Sequence, residues 1–294
     1  MARQKTSPWI LAARPKTLVA SACPVIIATA MAYESQVHHW PAALAALLGA
    51  VLIQIGTNFA NDYFDFQKGA DTPLRLGPIR VTQAGLISPE KMKRATVMAF
   101  GLASLIGLYL IWHGGWPVFI VGIASILAGV LYTGGPYPLG YLGLGDLFVF
   151  IFFGPVALIG AYYVQALTIT TPVVIASIAP GFLITAILVV NNLRDIDEDR
   201  YTGKKTLAVR LGRDFTRAEY LSLIGLASLI PVLLYISSGE HPASLLAVLV
   251  IVTALPAFKI SFTKSDGPSL NRLLAQTGGL LAIYSVLFSI GWLL

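Results

Sequence analysis

Long apolar blocks alternate with short polar segments along most of the 294-residue chain. A helix that crosses a bilayer needs about 20 mostly apolar residues. Glycine and proline occur inside several of the blocks, and transmembrane helices tolerate both. The pattern predicts nine transmembrane helices, at about residues 18–34, 41–60, 93–112, 116–133, 145–164, 171–190, 219–236, 242–262 and 274–293.

The basic residues between the blocks predict how these helices are oriented. If the N-terminus is cytoplasmic, the inner segments are 1–17, 61–92, 134–144, 191–218 and 259–273. Their numbers of Lys and Arg residues are, in this order, four, six, none, seven and three. The count of six includes Lys93 and Arg94, which lie at the start of the next helix. Together these counts include all 20 basic residues of the chain, and the outer loops have none. Since cytoplasmic loops are enriched in Lys and Arg, we expect a cytoplasmic N-terminus and an outer C-terminus.

Composition agrees with a membrane protein and excludes several other classes. Hydrophobic residues make up 56% of the chain and charged residues 12%, against roughly 25% charged residues in soluble domains. The mean hydropathy is +0.76 and the net charge is +6. Because the basic residues lie between apolar blocks and form no soluble basic surface, we expect no nucleic-acid partner. Residues 1–294 are predicted to form a single integral-membrane domain surrounded by lipid, with 1–17 as a cytoplasmic segment.

An acidic segment follows the second apolar block, at its predicted cytoplasmic end. If the helix continues, Asn58, Asp62 and Asp65 share one face, because residues three and four positions apart are neighbours on a helix. Asn61 lies beside them.

A second acidic segment follows the sixth apolar block, at the same predicted membrane depth. Here Asn191, Asp195 and Asp199 are four residues apart and share one helical face. We expect the two faces to converge across the helical bundle. One such segment could simply be a run of charged residues exposed to the cytoplasm. This interpretation explains less well why two segments with the same spacing both lie at helix ends.

Carboxylates on one face repel each other, so a cation is expected between them. Mg²⁺ takes oxygen ligands and is commonly bound by one or two carboxylates together with substrate phosphates. Basic residues follow both segments, as expected around a diphosphate group: Lys68, Arg75, Arg80, Arg194, Lys204, Lys205 and Arg210. The residues therefore predict a site where metal ions and cations stabilise the pyrophosphate that leaves a lipid diphosphate.

The first acidic segment fits a known family motif, Asn-Asp-x-x-Asp-x-x-x-Asp, at three positions. These are Asn61, Asp62 and Asp65. The last aspartate of the motif falls on Gly69, and Asp71 lies two residues further on, which leaves the role of Asp71 open.

The second segment fits the companion motif, Asp-x-x-x-Asp-x-x-x-Asp, at Asp195 and Asp199, with Asn191 in the leading place. The basic turn 203–206 follows it. With both motifs present, the chain resembles the UbiA superfamily of intramembrane aromatic prenyltransferases. This resemblance implies an all-α membrane protein, a bundle of about nine transmembrane helices.

Further short stretches of the sequence resemble the branch of the superfamily that acts on 1,4-dihydroxy-2-naphthoate. They lie at residues 14–18, 68–71, 77–80, 83–85, 132–136, 143–146, 162–165 and 191–195. The resemblance implies Mg²⁺-dependent transfer of a polyprenyl group from a polyprenyl diphosphate to the naphthoate, with loss of CO₂, giving demethylmenaquinol. It also implies a cell inner membrane location with the active site facing the cytoplasm.

The resemblance implies roles for individual residues as well. The implied metal ligands are Asn61, Asp62, Asp65, Asn191, Asp195 and Asp199. The candidates for contacts with the diphosphate are Arg14, Lys68, Arg80 and Lys204. The candidate catalytic residues are Asp65, Asp195, Tyr132 and Asp146.

Two of these residues have equally good structural interpretations. Tyr132 is a candidate for shielding an allylic cation, because an aromatic face attracts positive charge, but it also fits an interfacial tyrosine. Asp146 could orient or deprotonate the acceptor, or it could be a helix N-cap.

Other functions stay open at this point. The acceptor could instead be 4-hydroxybenzoate, homogentisate or haem, and a cation-coupled transporter is an alternative from another class. Acids at helix ends favour an enzyme, because transporter sites usually lie near the midplane. Four histidines are predicted on the outer side, away from the acidic segments, which argues against a metal role for them: His38, His39, His113 and His241. No pattern specifies an oligomeric state or the prenyl chain length.

Overall fold

The computed structural model describes residues 7–70 and 76–294, and within these ranges it contains α-helices and no β-strand. The helices are α1 (Pro8–Ala13), α2 (Pro15–Glu34), α3 (Trp40–Gln67), α4 (Pro89–Gly114), α5 (Trp116–Leu131), α6 (Gly145–Ile151), α7 (Ala157–Ala166), α8 (Thr171–Ala176), α9 (Ile178–Tyr201), α10 (Leu207–Ser238), α11 (Val250–Thr253), α12 (Leu255–Thr263) and α13 (Gly267–Leu293). A π-helical turn, Phe152–Val156, joins α6 to α7, and a 3₁₀ segment, Pro242–Leu249, precedes α11.

Eight helical segments in the described ranges are long and apolar enough to cross a membrane. They are α2, α3, α4, α6 with α7, α8 with α9, α10, Pro242–Thr263 and α13. The remaining predicted span, 116–133, forms the shorter 16-residue helix α5. The prediction of an all-α, multi-pass membrane protein is confirmed, with eight long segments and one short apolar helix.

Two helices continue beyond the apolar blocks that predict them. Helix α3 extends to Gln67 and α9 extends to Tyr201, so Asp62, Asp65, Asp195 and Asp199 are all helical. Helix α10 begins earlier than predicted, at Leu207, and is interrupted at Gly212, whose φ of 84° is outside the helical range. The helical faces expected for the acidic residues are therefore present.

The π-helical turn between α6 and α7 contains Pro155, which lacks the N–H that a regular helix needs. Gly154 lies in this turn against α9. A Cβ atom on Gly154 would lie 2.7 Å from Gly181 Cα and 2.8 Å from the Ser177 carbonyl oxygen. Glycine is needed here because the two backbones touch.

The main buried core lies between α2, α9, α10 and α13. Its largest fully buried side chains include Tyr220, Tyr284 and Phe288, and the Tyr220 hydroxyl lies 2.9 Å from Thr277 Oγ1. Helices α3 and α4 pack on each other beside this core. Large apolar side chains cover the outer surface, as expected for a surface in contact with lipid tails.

Candidate active site

The first acidic segment is buried at the end of α3. Asn58, Asp62 and Asp65 have 3%, 2% and 1% of their surface exposed. The helix is continuous to Gln67, which confirms the prediction that these three residues share one helical face. Charged groups buried to this degree need partners, because leaving a charge unpaired in a low dielectric is costly.

Asp65 is surrounded by hydrogen-bond donors from three different parts of the chain. One carboxylate oxygen lies 2.9 Å from Arg80 Nη2, and the other accepts a 2.5 Å hydrogen bond from the Tyr141 hydroxyl. Lys204 Nζ lies 3.9 Å from the same second oxygen. Asp65 is thus held between an arginine, a tyrosine and a lysine.

Asp199, on the last turns of α9, shares one of these partners. Its carboxylate oxygen Oδ1 lies 3.6 Å from Lys204 Nζ. Aspartates from both acidic segments therefore contact the same ammonium group. The expectation that the two segments converge across the bundle agrees with this geometry.

The other polar side chains of the first segment bind protein groups. Asp62 accepts hydrogen bonds from the backbone N–H groups of Val81, at 3.2 Å, and Thr82, at 3.0 Å. Asn61 Oδ1 accepts a 2.8 Å hydrogen bond from the Thr133 hydroxyl. Asn58 Nδ2 donates to the Ala13 carbonyl at 2.9 Å. These contacts connect α3 to α1, to the loop after residue 76 and to the loop after α5.

Asp195 forms a buried ion pair with the residue before it. Arg194 Nε donates to Asp195 Oδ1 and Arg194 Nη2 donates to Asp195 Oδ2, both at 2.6 Å. Arg194 also donates to Asn191 Oδ1 at 2.7 Å and to Asn271 Oδ1 at 2.8 Å. Asn271 Nδ2 in turn donates to the Leu76 carbonyl, so this network joins α9 to α13 and to the loop after residue 76.

Two of the predicted basic residues lie at the ends of α2 and α3. Lys68 Nζ donates to the carbonyl oxygens of Thr133, at 2.6 Å, and Gly135, at 3.1 Å. Burial lowers the pKa of Lys68, the carboxylate of Asp65 raises it, and the nearby ammonium of Lys204 lowers it again. Arg14, half-buried, lies between α1 and α2 with a φ of 51°.

Tyr132 lies directly after α5, between the acidic side chains and the membrane interior. Burial raises its pKa above the ordinary value, and the negative charges of Asp146, Asp199 and Asp65 raise it further. The hydroxyl lies near Gly145, where a Cβ atom would be 2.9 Å away from it. Tyr132 is thus within electrostatic reach of both acidic segments.

Asp146 occupies the first turn of α6 and is 7% exposed. The cap position is Leu144, with no side-chain cap, so the N-cap interpretation of Asp146 is wrong. Its Oδ1 is buried and has no hydrogen-bond partner among the residues that the structure describes.

An apolar cavity of about 710 Å³ extends from Tyr132 into the helical bundle. Gln54 and Thr57 line it on α3, close to the acidic segment, and Val118 and Ile169 line it at the far end. Nearly all of its other lining residues are apolar. The space can hold a long hydrocarbon chain with its polar end at Tyr132 and the aspartates.

The donor set suits a hard cation such as Mg²⁺, because it consists of carboxylate and amide oxygens. In the described residues, no three carboxylate, histidine or cysteine side chains are grouped closely enough to hold a metal by themselves. The ammonium of Lys204 lies between Asp65 and Asp199, so the fold already places a positive charge where their oxygens converge. Substrate phosphates can supply the ligands that the protein does not.

The family model of the "UbiA prenyltransferase family" matches residues 21–290, nearly the whole chain. The chain belongs to this family. The 1,4-dihydroxy-2-naphthoate octaprenyltransferase of Escherichia coli is 42% identical over 227 residues, which cover 75% of this chain and 73% of that protein. The protein of the same name from Haemophilus influenzae is 34% identical over 302 residues, covering 100% of this chain and 98% of that protein.

Solved structures of this UbiA fold superimpose on nearly the whole chain. A UbiA homolog from Archaeoglobus fulgidus, bound to GPP and Mg²⁺, has a TM-score of 0.69 and covers 96% of this chain and 100% of its own. At 14% sequence identity, this similarity establishes the fold of the bundle. The UbiA-type architecture expected from the motifs is thereby confirmed.

The UbiA motifs do not contain every residue that the fold brings to this site. Tyr141, Arg194 and Asn271 all contact residues of the two acidic segments or their partners. Tyr141 lies in a glycine-rich loop with no charge pattern, and Asn271 is an isolated amide more than 70 positions from Arg194. No local signal identifies these two. Asp71 and Arg75 lie outside the described residues.

Proposed function

We propose that this UbiA-family protein transfers a polyprenyl group from a polyprenyl diphosphate to 1,4-dihydroxy-2-naphthoate, with loss of CO₂, giving demethylmenaquinol. The observation that carries the proposal is the contact of Asp65 and Asp199 with one ammonium group, Lys204, together with an apolar cavity lined by Thr57 and Tyr132. A polyprenyl diphosphate has two matching parts, a charged head that suits the polar residues and an apolar tail that suits the cavity. The acceptor is inferred from relatives that are named for the naphthoate.

The donor diphosphate would lie among the basic side chains at the cytoplasmic ends of the helices. The proposed contacts come from Arg14, Lys68, Arg80 and Lys204. The proposed Mg²⁺ ligands are Asn61, Asp62, Asp65, Asn191, Asp195 and Asp199. When bound, Mg²⁺ neutralises the charge that develops on the departing pyrophosphate.

Several of these ligands have protein partners that a metal would have to displace or share. Asp195 is paired with Arg194 at 2.6 Å, and Asp62 accepts two backbone N–H groups. Asp65 also has close partners, Arg80 at 2.9 Å and the Tyr141 hydroxyl at 2.5 Å. Unlike Asp62 and Asp195, however, Asp65 shares one cation with an aspartate of the other segment, because Lys204 lies within 4 Å of both Asp65 and Asp199. We infer that Asp65 and Asp199 are the principal metal ligands and that Asp62 and Asp195 chiefly position the loop and helix around them.

The reaction begins with cleavage of the bond between the allylic carbon and the diphosphate oxygen. Pyrophosphate leaves with the electron pair, and an allylic cation remains at the end of the apolar cavity that Tyr132 lines. Tyr132, which lines this end, presents an aromatic ring that stabilises positive charge. The apolar lining around it excludes the water that would otherwise capture the cation.

The second step forms the bond between the allylic carbon and the naphthoate ring. The ring carbon that bears the carboxylate supplies the electron pair, and departure of CO₂ returns a pair to the ring and restores aromaticity. Asp146 has a buried oxygen without a partner in the described residues. We infer that this oxygen accepts a hydrogen bond from a ring hydroxyl, which orients the acceptor and raises its electron density.

The proposed location is the cell inner membrane, with the site open to the cytoplasm. All 20 lysines and arginines lie in segments on the side of the chain that carries Asp65 and Asp199. The positive-inside rule assigns this side to the cytoplasm. Water-soluble naphthoate and Mg²⁺ would enter from there, whereas the prenyl tail would enter from the lipid phase.

The direct test supplies purified protein in lipid nanodiscs with Mg²⁺, octaprenyl diphosphate and an equimolar mixture of the naphthoate, 4-hydroxybenzoate and homogentisate. We expect prenylated, decarboxylated naphthol as the main product by mass spectrometry, together with one pyrophosphate per product. Omitting either the donor or Mg²⁺ should abolish both signals. A product from another acceptor would contradict the proposed substrate, and no product with any acceptor would contradict the enzymatic function.

A further inference from the structure

The loop between α5 and α6 carries a tyrosine, Tyr141, that is fastened to the turn after α9. The Lys205 N–H donates to the Tyr141 carbonyl at 2.8 Å. Arg210 Nη2 donates to the Leu142 carbonyl at 2.9 Å, and its Nε donates to the Lys205 carbonyl at 3.0 Å. The backbone position of Tyr141 is therefore tied to the end of the second acidic segment.

The same loop approaches the backbone of the turn closely at a glycine. At Gly143, where φ is 75°, a Cβ atom would lie 2.8 Å from the Lys205 carbonyl oxygen. Glycine has no side chain and adopts positive φ readily, so it permits this approach. The loop and the turn are therefore joined by hydrogen bonds and close packing next to the Tyr141 side chain.

The hydroxyl of Tyr141 reaches the other acidic segment. It donates a 2.5 Å hydrogen bond to Asp65 Oδ1, while Arg80 binds the opposite oxygen Oδ2 at 2.9 Å. With a donor on each oxygen, the carboxylate plane of Asp65 is fixed in one orientation. A carboxylate that is oriented in advance loses less entropy when it binds a cation.

The ring of Tyr141 is close to two ammonium groups. Lys68 Nζ lies 5.0 Å from the ring centroid and Lys204 Nζ lies 4.8 Å from it, both within the range of cation–π attraction. Two like charges near one ring repel each other, and the electron-rich ring offsets part of that repulsion. An anion that contacts both ammonium groups would relieve the rest.

We propose that Tyr141 is a positioning residue for the donor diphosphate and its metal: its ring holds Lys68 and Lys204 for the phosphate oxygens, and its hydroxyl orients Asp65 toward the cation. This inference rests on the function proposed above, and it concerns the donor half of the reaction. Tyr141 touches neither reacting carbon. It acts through three charged residues, two at the end of α3 and one in the turn after α9.

Two substitutions separate the hydroxyl from the ring. Tyr141→Phe keeps the ring near both lysines and removes the hydrogen bond to Asp65, so we expect a several-fold higher Mg²⁺ requirement and nearly unchanged donor affinity at saturating Mg²⁺. Tyr141→Leu removes both, so we expect donor affinity to fall about tenfold, given two lost cation–π contacts. The matched control is Tyr137→Leu, a 76% exposed tyrosine in the same loop, which should change neither.

The measurement is binding of geranyl S-thiolodiphosphate, an unreactive donor analogue, to nanodisc-embedded protein over a range of Mg²⁺ concentrations. Thermal unfolding of each variant is recorded in parallel. Steady-state kinetics with the reactive donor should show the Tyr141→Leu effect mainly in KM and not in kcat. Because the binding measurement needs no acceptor, it remains informative if the acceptor is another aromatic compound.

Each outcome decides between the proposals. Wild-type affinity and Mg²⁺ requirement in both Tyr141 variants, with an active wild type, would overturn the role of Tyr141 alone. Equal losses in both variants, together with lower unfolding temperatures, would show that Tyr141 only supports the loop. If Tyr141→Leu does not fold, an unchanged Mg²⁺ requirement in Tyr141→Phe overturns the proposal. If the wild type fails to bind the analogue, the proposed donor is wrong as well.

Discussion

Asp65 and Asp199 differ from the other acidic residues near them because they face the same cation. Lys204 lies within 4 Å of both. Asp197, only two residues before Asp199, points to the opposite side of α9, where its 76% exposed side chain pairs with Arg213 at 2.7 Å. One helix thus carries an aspartate suited to a metal site and a nearby aspartate that belongs to the solvated surface.

Neutralising the two converging aspartates should abolish turnover. In Asp65→Asn and Asp199→Asn the side chain keeps its shape but loses the charge that would hold Mg²⁺. We expect product formation to fall about 100-fold or more, since electrostatic stabilisation of the leaving group is lost. The rate is measured with purified protein at saturating donor and naphthoate.

The matched control is Asp197→Asn, which should retain the wild-type rate because an exposed ion pair contributes little. All three variants should insert into membranes in similar amounts, which a tag-based assay of membrane fractions can measure. Near-normal activity in Asp65→Asn or Asp199→Asn would refute the assignment of these residues as metal ligands.

At the scale of elements, the contact between the π-helical turn and α9 positions the site. Helix α9 carries both Asp195 and Asp199, and its backbone at Gly181 touches Gly154. Small residues at such crossings let transmembrane helices approach closely, and much of helix association in lipid comes from this packing.

Gly154→Ala should therefore loosen this crossing. The added methyl group would lie 2.7 Å from a backbone atom of α9, so one of the two helices must move. We expect a loss of about 1–3 kcal/mol in stability, seen as a lower unfolding temperature in detergent, with reduced activity because α9 is displaced.

The control for this change is Gly160→Ala in α7, where nothing lies within 4 Å of the new methyl group. Its unfolding temperature should stay the same or rise slightly, since alanine favours a helix over glycine by up to about 1 kcal/mol. If the two variants unfold at the same temperature, the contact between Gly154 and Gly181 does not stabilise the bundle.

For the molecule as a whole, the distribution of charge predicts one orientation in the membrane. Along the sequence, the basic residues fall in the segments predicted to lie on the same side of the membrane as the acidic residues of the site. The opposite end carries aromatic and histidine side chains, including the stacked rings of His39 and His113. The candidate active site and the positive charge are therefore predicted to share one membrane surface.

Cysteine labelling can test this orientation, because the chain has a single cysteine. Cys23 is buried and can be replaced by serine, after which Tyr201→Cys and Glu240→Cys each supply one exposed thiol. In intact spheroplasts, a membrane-impermeant maleimide should label position 240 and spare position 201. Both should react after permeabilisation, and labelling of position 201 in sealed cells would reverse the predicted topology.

Local spacing and composition in the sequence by themselves determined much of this protein. Runs of apolar residues specify helices in lipid because each backbone polar group must be satisfied within its own segment. Spacings of three and four residues place Asp62 with Asp65, and Asp195 with Asp199, on common faces. The family motifs rest on the same local patterns, so the fold, the two acidic faces and the segments that follow them were predictable.

The tertiary structure alone decided which partners those residues meet. Tyr141 and Asp65 are 76 positions apart, and Asn271 and Arg194 are 77 positions apart, so only packing of the bundle brings them within hydrogen-bond distance. The same packing forms the apolar cavity and turns Asp62 toward backbone N–H groups. Such contacts depend on how helices from distant parts of the chain cross, which local periodicity does not encode.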